Sequence, residues 1–279
     1  MKKTLLIFIL TPLLYFSQDN GNKLVLGVNI GGYAANKNTA GLYNGNVTPI
    51  NILSIFDNPH YQPNFINYFQ YPSYIYDIPR NPQYRIGLDV GVHIGKRFQN
   101  GELFAEINFA NISVQDFFIV AIEDPNNLSP DPTYEPIPIF GEERRSNINF
   151  GYSFDLYNKD GIIIGFPIFS QINNVRLQRN YFVINNQQYN IYHGVAGQTN
   201  TNPGGTAIGG GAGLTGSIKF NDQFSFLAGY YAQYSKINLI ENNELTAYDE
   251  NSQQIPGNTV TIKPWGLHHS IFARIIWSW

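Results

Sequence analysis

The chain has 279 residues, 43% of them hydrophobic and 15% aromatic, with only 13% charged, 26 glycines, no cysteine and a formal net charge of −3. Charges this sparse are unlike those of an ordinary soluble domain. The absent cysteine excludes a disulfide framework, thiolate chemistry and a lipidated cysteine, and the acidic balance leaves no basic footprint for nucleic acid.

The first segment reads as a secretory leader. Lys2 and Lys3 precede an apolar run from Leu5 to Leu14, about ten residues, inside the ~7–15 of a signal peptide and short of the ~20 that cross a bilayer as a helix. Residues 1–17 are expected to be removed after Ser17, leaving 18–279 as one exported domain. No later run is long enough for a membrane helix, so the remaining spanning solution is a closed β-barrel, in which every backbone donor and acceptor is paired.

Eight segments then alternate with period two, the signature of strands with one apolar face. They are Lys23 to Ala34 (Leu24, Leu26, Val28 and Ile30 outward), Arg85 to Arg97 (Ile86, Leu88, Val90, Val92, Ile94), Glu102 to about Ile122, and Ser146 to Tyr157. Gly161 to about Gln171, Thr206 to Phe220, Gln223 to about Ile237, and Thr259 to Trp279 complete the set. Asn100-Gly101, Asn158 to Gly161, and Asn221-Asp222 make three tight turns. Long connections at about 35–83, 123–143, 172–205 and 241–258 alternate with them, which is the outer-membrane pattern of short periplasmic turns and long external loops. Both chain ends then belong at the periplasmic rim, with no periplasmic domain expected.

A further hairpin, Tyr181 to Ile184 and Gln187 to Tyr192 around Asn185-Asn186, leaves a ten-strand count open. Strict alternation gives Arg176 and Arg179 opposite faces, so a membrane-inserted hairpin would put one of them in lipid at a cost of ~2–4 kcal/mol. The hairpin is therefore placed above the membrane.

The leader, the eight alternating segments, the long and short connections and a C-terminal aromatic on the lipid face together resemble the small OmpA/OmpX-type outer-membrane barrels. The last strand, with Trp277 and Trp279 outward, resembles the β-signal read by that family's barrel assembly machinery. The resemblance implies an all-β, eight-stranded antiparallel transmembrane barrel in the outer membrane, with outer-membrane lipids and that machinery as partners.

An eight-stranded lumen is just wide enough to be filled by its own side chains. Parity points Arg85, Asp89, His93, Arg97, Glu102, Glu106, Asp155, Lys219, His268 and Arg274 inward, with Asn147, Asn149 and Ser217 between them. Buried charges occur paired, so these residues are expected to form a salt-bridged plug; a gated ion or proton path is the functional alternative. His268 and Ser270 share a face, and a His-x-Ser pair on a barrel strand resembles the lipid A deacylase family, where it supplies base and nucleophile. Parity here points the pair into the lumen instead of toward lipid, with no acidic orienter in view. The histidines show no metal-ligand spacing, because adjacent residues on a strand face opposite ways. Gly209 to Gly213 precedes no helix and reads as small lumen residues, not a phosphate cradle.

Between His60 and Asp77 the first long loop carries Tyr61, Phe65, Tyr68, Phe69, Tyr71, Tyr74 and Tyr76 with two prolines and no positive charge. Such side chains suit sugar or protein recognition; the same aromatics could equally pack among themselves as a cap over the barrel mouth. The sequence therefore reads as a non-enzymatic barrel, without catalytic residues, metal or cofactor. It would be a structural anchor presenting loops to an extracellular ligand or to a larger membrane complex. A narrow channel or transport or secretion accessory subunit, and a lipid hydrolase using His268 and Ser270, are the alternatives.

Overall fold

A computed structural model describes residues 23–37, 40, 43, 52–79, 82–127, 131–191, 204–237, 247–248, 254–255 and 265–279. The leader expected over 1–17, its cleavage point and much of the loop expected over 241–258 lie outside them. In chain order the elements are β1 (Lys23–Ala34), α1 (Ile52–Phe56), α2 (Gln62–Phe69), β2 (Ser73–Asp77), β3 (Gly87–Phe98), β4 (Gly101–Ile122) and β5 (Thr133–Lys159). They continue with β6 (Ile162–Ile184), β7 (Gln187–Asn190), β8 (Gly204–Lys219), β9 (Phe224–Lys236), β10 (Ala247–Tyr248), β11 (Gln254–Ile255) and β12 (Trp265–Ser278).

Eight of the strands close a ring. β1 pairs with β3, β3 with β4, β4 with β5, β5 with β6, β6 with β8, β8 with β9, β9 with β12, and β12 returns to β1, all antiparallel. The seam runs from Val25 opposite Ser278 to Ala34 opposite His269. At its lower end Leu24 and Trp279 exchange both backbone hydrogen bonds at 3.0 Å. The chain's last residue thus completes the ladder that removes the sheet's edges.

Burial is inside out. Val28 and Ile275, on the outer wall, are 63% and 65% exposed, while Glu106 and Arg274 inside are 1% and 3% exposed. Only a wall bathed in hydrocarbon makes that distribution favourable. Trp277 and Trp279 point outward near Phe224 at one rim, their ring centroids 4.6 Å apart. Tyr230, Tyr234 and Trp265 do the same toward the other end, where His269 bonds the Tyr230 hydroxyl at 2.7 Å. The ring leaves little interior space: a Cβ added at Gly91 would fall 1.9 Å from the Asn108 side-chain oxygen.

The three strands β4, β5 and β6 are 22, 27 and 23 residues long, about twice what a tilted crossing needs. They rise past the other strands as a collar. Residues 133–143 and 172–184, which the sequence places in loops, are therefore strand. Pro136 and Pro138 sit where β5 pairs with β4 alone, β6 reaching only as far as Ile139. An edge strand tolerates a missing N–H. β2 pairs with the free edge of β4 at the same height.

The extra hairpin exists and stands on the collar. β7 pairs with the end of β6 outside the ring, around Asn185 and Asn186 at φ 50° and 59°, the left-handed pair of a tight hairpin turn. The ring count is eight. Arg176 and Arg179 do not lie on opposite faces, as strict alternation would have them. Between Glu142 opposite Arg179 and Glu143 opposite Leu177 the register slips, so Gln178 is an extra residue and both Arg176 and Arg179 face outward. A bulge of this kind resets alternation.

Truncation after Ser278 removes both backbone bonds at the seam's lower end, each contributing about 0.5–1.5 kcal/mol. The truncated chain is expected to yield markedly less heat-modifiable barrel in membrane fractions on unboiled gels, and normal yields would contradict this role for Trp279.

Candidate functional site

The lumen is filled at successive levels. Lowest is an ion network: Arg97 pairs with Asp155 and lies 3.7 Å from Glu102, whose carboxylate stands 2.5 Å from His93 Nε2. His93 Nδ1 lies 2.8 Å from Glu106, and Glu106 accepts from the Arg274 guanidinium and, at 3.0 Å, from the Tyr231 hydroxyl. Arg274 Nε also donates to Asn29 at 2.6 Å, and Asn29 donates to Asn108 at 2.9 Å. Three carboxylates thus face two guanidiniums and the His93 ring, so opposite charges stand side by side through the network. In a dry interior that pairing matters, because each unpaired ion costs several kcal/mol.

Phe104, Phe169, Tyr231 and Phe272 pack together as an aromatic layer beside this network. Amides follow: Gln171 donates to Asn149 at 3.0 Å and to Gln233 at 2.7 Å, and Gln233 donates to Ser270 at 3.0 Å. Above them sits a second ionic centre. Arg145 donates to Glu143 at 2.5 Å and is fully buried under the rings of Tyr33 and Tyr84, while Tyr43 and Tyr84 each donate to the other Glu143 oxygen at 2.8 Å. The Tyr43 ring enters over Gly141, where any Cβ would meet it at 2.2 Å.

Of the ten expected lumen residues, His93, Arg97, Glu102, Glu106, Asp155 and Arg274 form the lower network. Asp89 and His268 are buried higher up. Arg85 is not in the lumen: the pairing slips by one residue between Leu88 opposite Asn111 and Tyr84 opposite Val114, which turns Arg85 outward against Gln115. Lys219 keeps inward parity but lies exposed at the mouth nearest Ser278, in a cavity of about 290 Å³ shared with Lys23 and Arg97. Glu143 and Arg145 were missed, although extending the inward parity of Asn147 and Asn149 by two and four residues reaches them. Tyr43 and Tyr84 arrive from outside the regular strands, where alternation gives no signal.

His268 and Ser270 do not form a catalytic pair. His268 Nδ1 accepts from the Asn36 backbone N–H at 3.0 Å and faces Arg145 Nη1 at 3.1 Å, so its orienter is a cation where a general base needs an anion. Ser270 is 2% exposed and its oxygen is held by Gln233.

The aromatic loop divides. Phe65 and Phe69 of α2 are buried with Phe56 of α1 against Phe118, Ile122, Ile139 and Phe182 of the collar, Phe56 and Phe65 stacking at 4.4 Å. Tyr61 and Tyr71 pack at the margin of that core. Tyr68, Tyr74 and Tyr76 remain on the surface, with Tyr76 4.7 Å from the exposed Tyr134. Tyr68 donates to Glu135 at 2.7 Å. That bond to a carboxylate, followed by partial burial, raises the Tyr68 phenol above its ordinary value, which keeps it a neutral donor at physiological pH.

Glu106→Gln leaves Arg274 in the lumen without its anion. It should lower barrel stability by about 3–5 kcal/mol in urea unfolding from lipid vesicles, while Glu106→Leu combined with Arg274→Met should cost less than the single change. Phe65→Ala should cost the cap about 3–5 kcal/mol. Limited proteolysis should then cut residues 52–77 while the heat-modifiable barrel persists; unchanged resistance would remove Phe65 from the cap's core.

No family model matches the sequence, and no curated protein matches it. Among solved structures, neisserial surface protein A is similar at 8% identity, over 93% of this chain and 100% of that one, with a TM-score of 0.44. Ail, the attachment invasion locus protein of Yersinia pestis, is similar at 7% identity, over 92% and 99%, with a TM-score of 0.31. By its own closed ring of eight antiparallel strands, polar within and apolar without, this chain has the architecture of a small outer-membrane β-barrel of the OmpA/OmpX type.

Proposed function

We propose that the protein is a non-catalytic outer-membrane anchor, exported by a leader over residues 1–17, whose barrel is a rigid stand for an extracellular recognition surface. The observation that carries this reading is the inner face of β4. From Glu102 and Glu106 through Ala110 to Val114, and again from Phe118 through Val120 to Ile122, it is buried, with only Asp116 half-buried between the two stretches, so filled lumen, collar and cap stand one above another. A filled lumen serves support better than transport. Recognition then falls to the collar and cap, where Tyr68, Tyr74, Tyr76 and Tyr134 offer amphipathic rings of low conformational cost to an extracellular ligand or to a neighbouring subunit of a larger membrane complex. Assembly in the membrane would depend on the barrel assembly machinery reading the strand that ends in Trp277 and Trp279.

Planar-bilayer recording separates this role from that of a channel. The purified barrel should give no unitary conductance steps, and reproducible steps abolished by heat denaturation would overturn the anchor reading.

A further inference from the structure

The outer wall carries a charged feature that neither the lumen nor the cap explains. Arg144 and Arg176 are direct cross-strand partners on β5 and β6, both outward and exposed. Like charges directly opposite one another on a sheet repel. The bulge at Gln178 adds Arg179 to the same wall. Among the described residues the only carboxylate paired with these three guanidiniums is Glu142, 3.7 Å from Arg179 and itself half exposed. Arg144 Nε donates to Asn111 at 3.3 Å, a neutral acceptor. In a chain of net charge −3, this is a local excess of positive charge held in place by strand register.

Two adjoining grooves run along the cluster. One, of about 340 Å³, is lined by Phe109, Arg144, Ser146, Asn174, Arg176 and Gln178. The other, of about 500 Å³, shares Arg144 and Gln178 and reaches Arg179 and Ile86. Their height on the wall identifies the environment. Four residues below Arg144 and Arg176 on the same two strands, Ile148 faces Ile172, about 13 Å down the strand at 3.3 Å per residue. Phe109, 45% exposed, sits between. The grooves therefore cross the level at which an apolar wall gives way to a polar one.

We propose that this wall binds an anionic phospholipid or phosphoglycolipid of the leaflet facing the loops. Arg144 and Arg176 hold its phosphate, and Phe109 and the aliphatic band below lie along its acyl chains. A phosphate between the two guanidiniums turns their repulsion into paired charge-assisted hydrogen bonds, for which the planar fork of arginine is suited. A free anion would use the arginines but not the apolar floor. An acidic protein partner would have to displace lipid already present there. The proposal rests on the barrel standing in a membrane, and its test reads that condition separately.

The test uses the barrel in phosphatidylcholine nanodiscs, titrated with bisphosphorylated lipid A, with dephosphorylated lipid A and with inorganic phosphate. Arg144→Gln combined with Arg176→Gln should weaken binding of the bisphosphorylated lipid by tenfold or more, on the scale of two lost charge-assisted contacts. The double change to lysine, which keeps charge without the fork, should lose less. Lys159→Gln with Lys219→Gln, at the opposite rim, removes the same charge and should leave affinity unchanged. Heat-modifiability of every variant reports the barrel itself, and its absence in the wild type would overturn the membrane reading together with the proposal. Equal affinity of wild type and the double glutamine variant, or equal binding of the dephosphorylated lipid, overturns the site. Competition by inorganic phosphate at comparable concentration overturns the lipid as its occupant.

Discussion

The pairing of β1 with β12 is the interaction on which the rest of this barrel depends. An open sheet edge in hydrocarbon leaves a row of backbone donors and acceptors unsatisfied at several kcal/mol each. Closing the ring at eight strands removes that cost and imposes another, a lumen too narrow to hold bulk water and too polar to be left empty. The side chains answer both demands with one network. Arg274 comes from β12, Asn29 from β1 and Glu106 from β4, so the guanidinium that bonds Asn29 across the seam also bonds Glu106 inside the lumen. Plug and seam are thus stabilised by the same cation, and Tyr231 from β9 fixes the orientation of the shared carboxylate.

The same closure explains why burial reverses along a single strand. On β4 the inward residues run from Glu102 and Glu106 to Phe118 and Ile122, while the outward ones run from Leu103 and Phe109 to Asn111 and Ser113. Below the transition the solvent is lipid and the inside must satisfy charge. Above it the solvent is water, and the collar behaves as an ordinary sheet with an apolar face to cover. α1 and α2 supply that cover. A cap built on Phe56, Phe65 and Phe69 is therefore a requirement of the long strands, and the aromatics that core does not need, Tyr68, Tyr74 and Tyr76, stay on the surface.

What could be read from the sequence followed from how regular the backbone is. Alternation located β1 at Lys23–Ala34, and Asp160-Gly161 marked a hairpin whose two φ angles, 54° and 80°, are both left-handed. Alternation also brought His93, Arg97, Glu102, Glu106, Asp155 and Arg274 to one side. It failed wherever an extra residue enters a ladder. The slip before Gly87 reversed Arg85, and Gln178 reversed Arg179, because one inserted residue turns every later side chain to the other face. The upper part of β5 was hidden for a different reason: Pro136 and Pro138 are costly in a central strand and harmless at an edge, and a single sequence does not reveal which neighbour is missing. Glu143 and Arg145 lay within reach of parity but before the strand start expected at Ser146.

The interior's layering bears on whether any charge could pass through it. A proton path needs an unbroken chain of groups that can both accept and donate. The lower network ends against Phe104, Phe169 and Phe272, which can do neither. Above them, the Arg145 centre is closed by tyrosines that donate to Glu143, and the imidazole beside it, His268, turns its acceptor nitrogen to the cation and its N–H to a site with no partner among the described residues. A relay would need that imidazole to gain a proton next to Arg145, which Coulomb repulsion in a low-dielectric interior opposes. The two ionic centres therefore act as separate locks on the strands they join, Arg274 on the seam and Arg145 at the foot of the collar, with amides and rings filling the lumen between them. Rigidity is what such an arrangement provides, and it is what a surface made of loops and collar requires of its base.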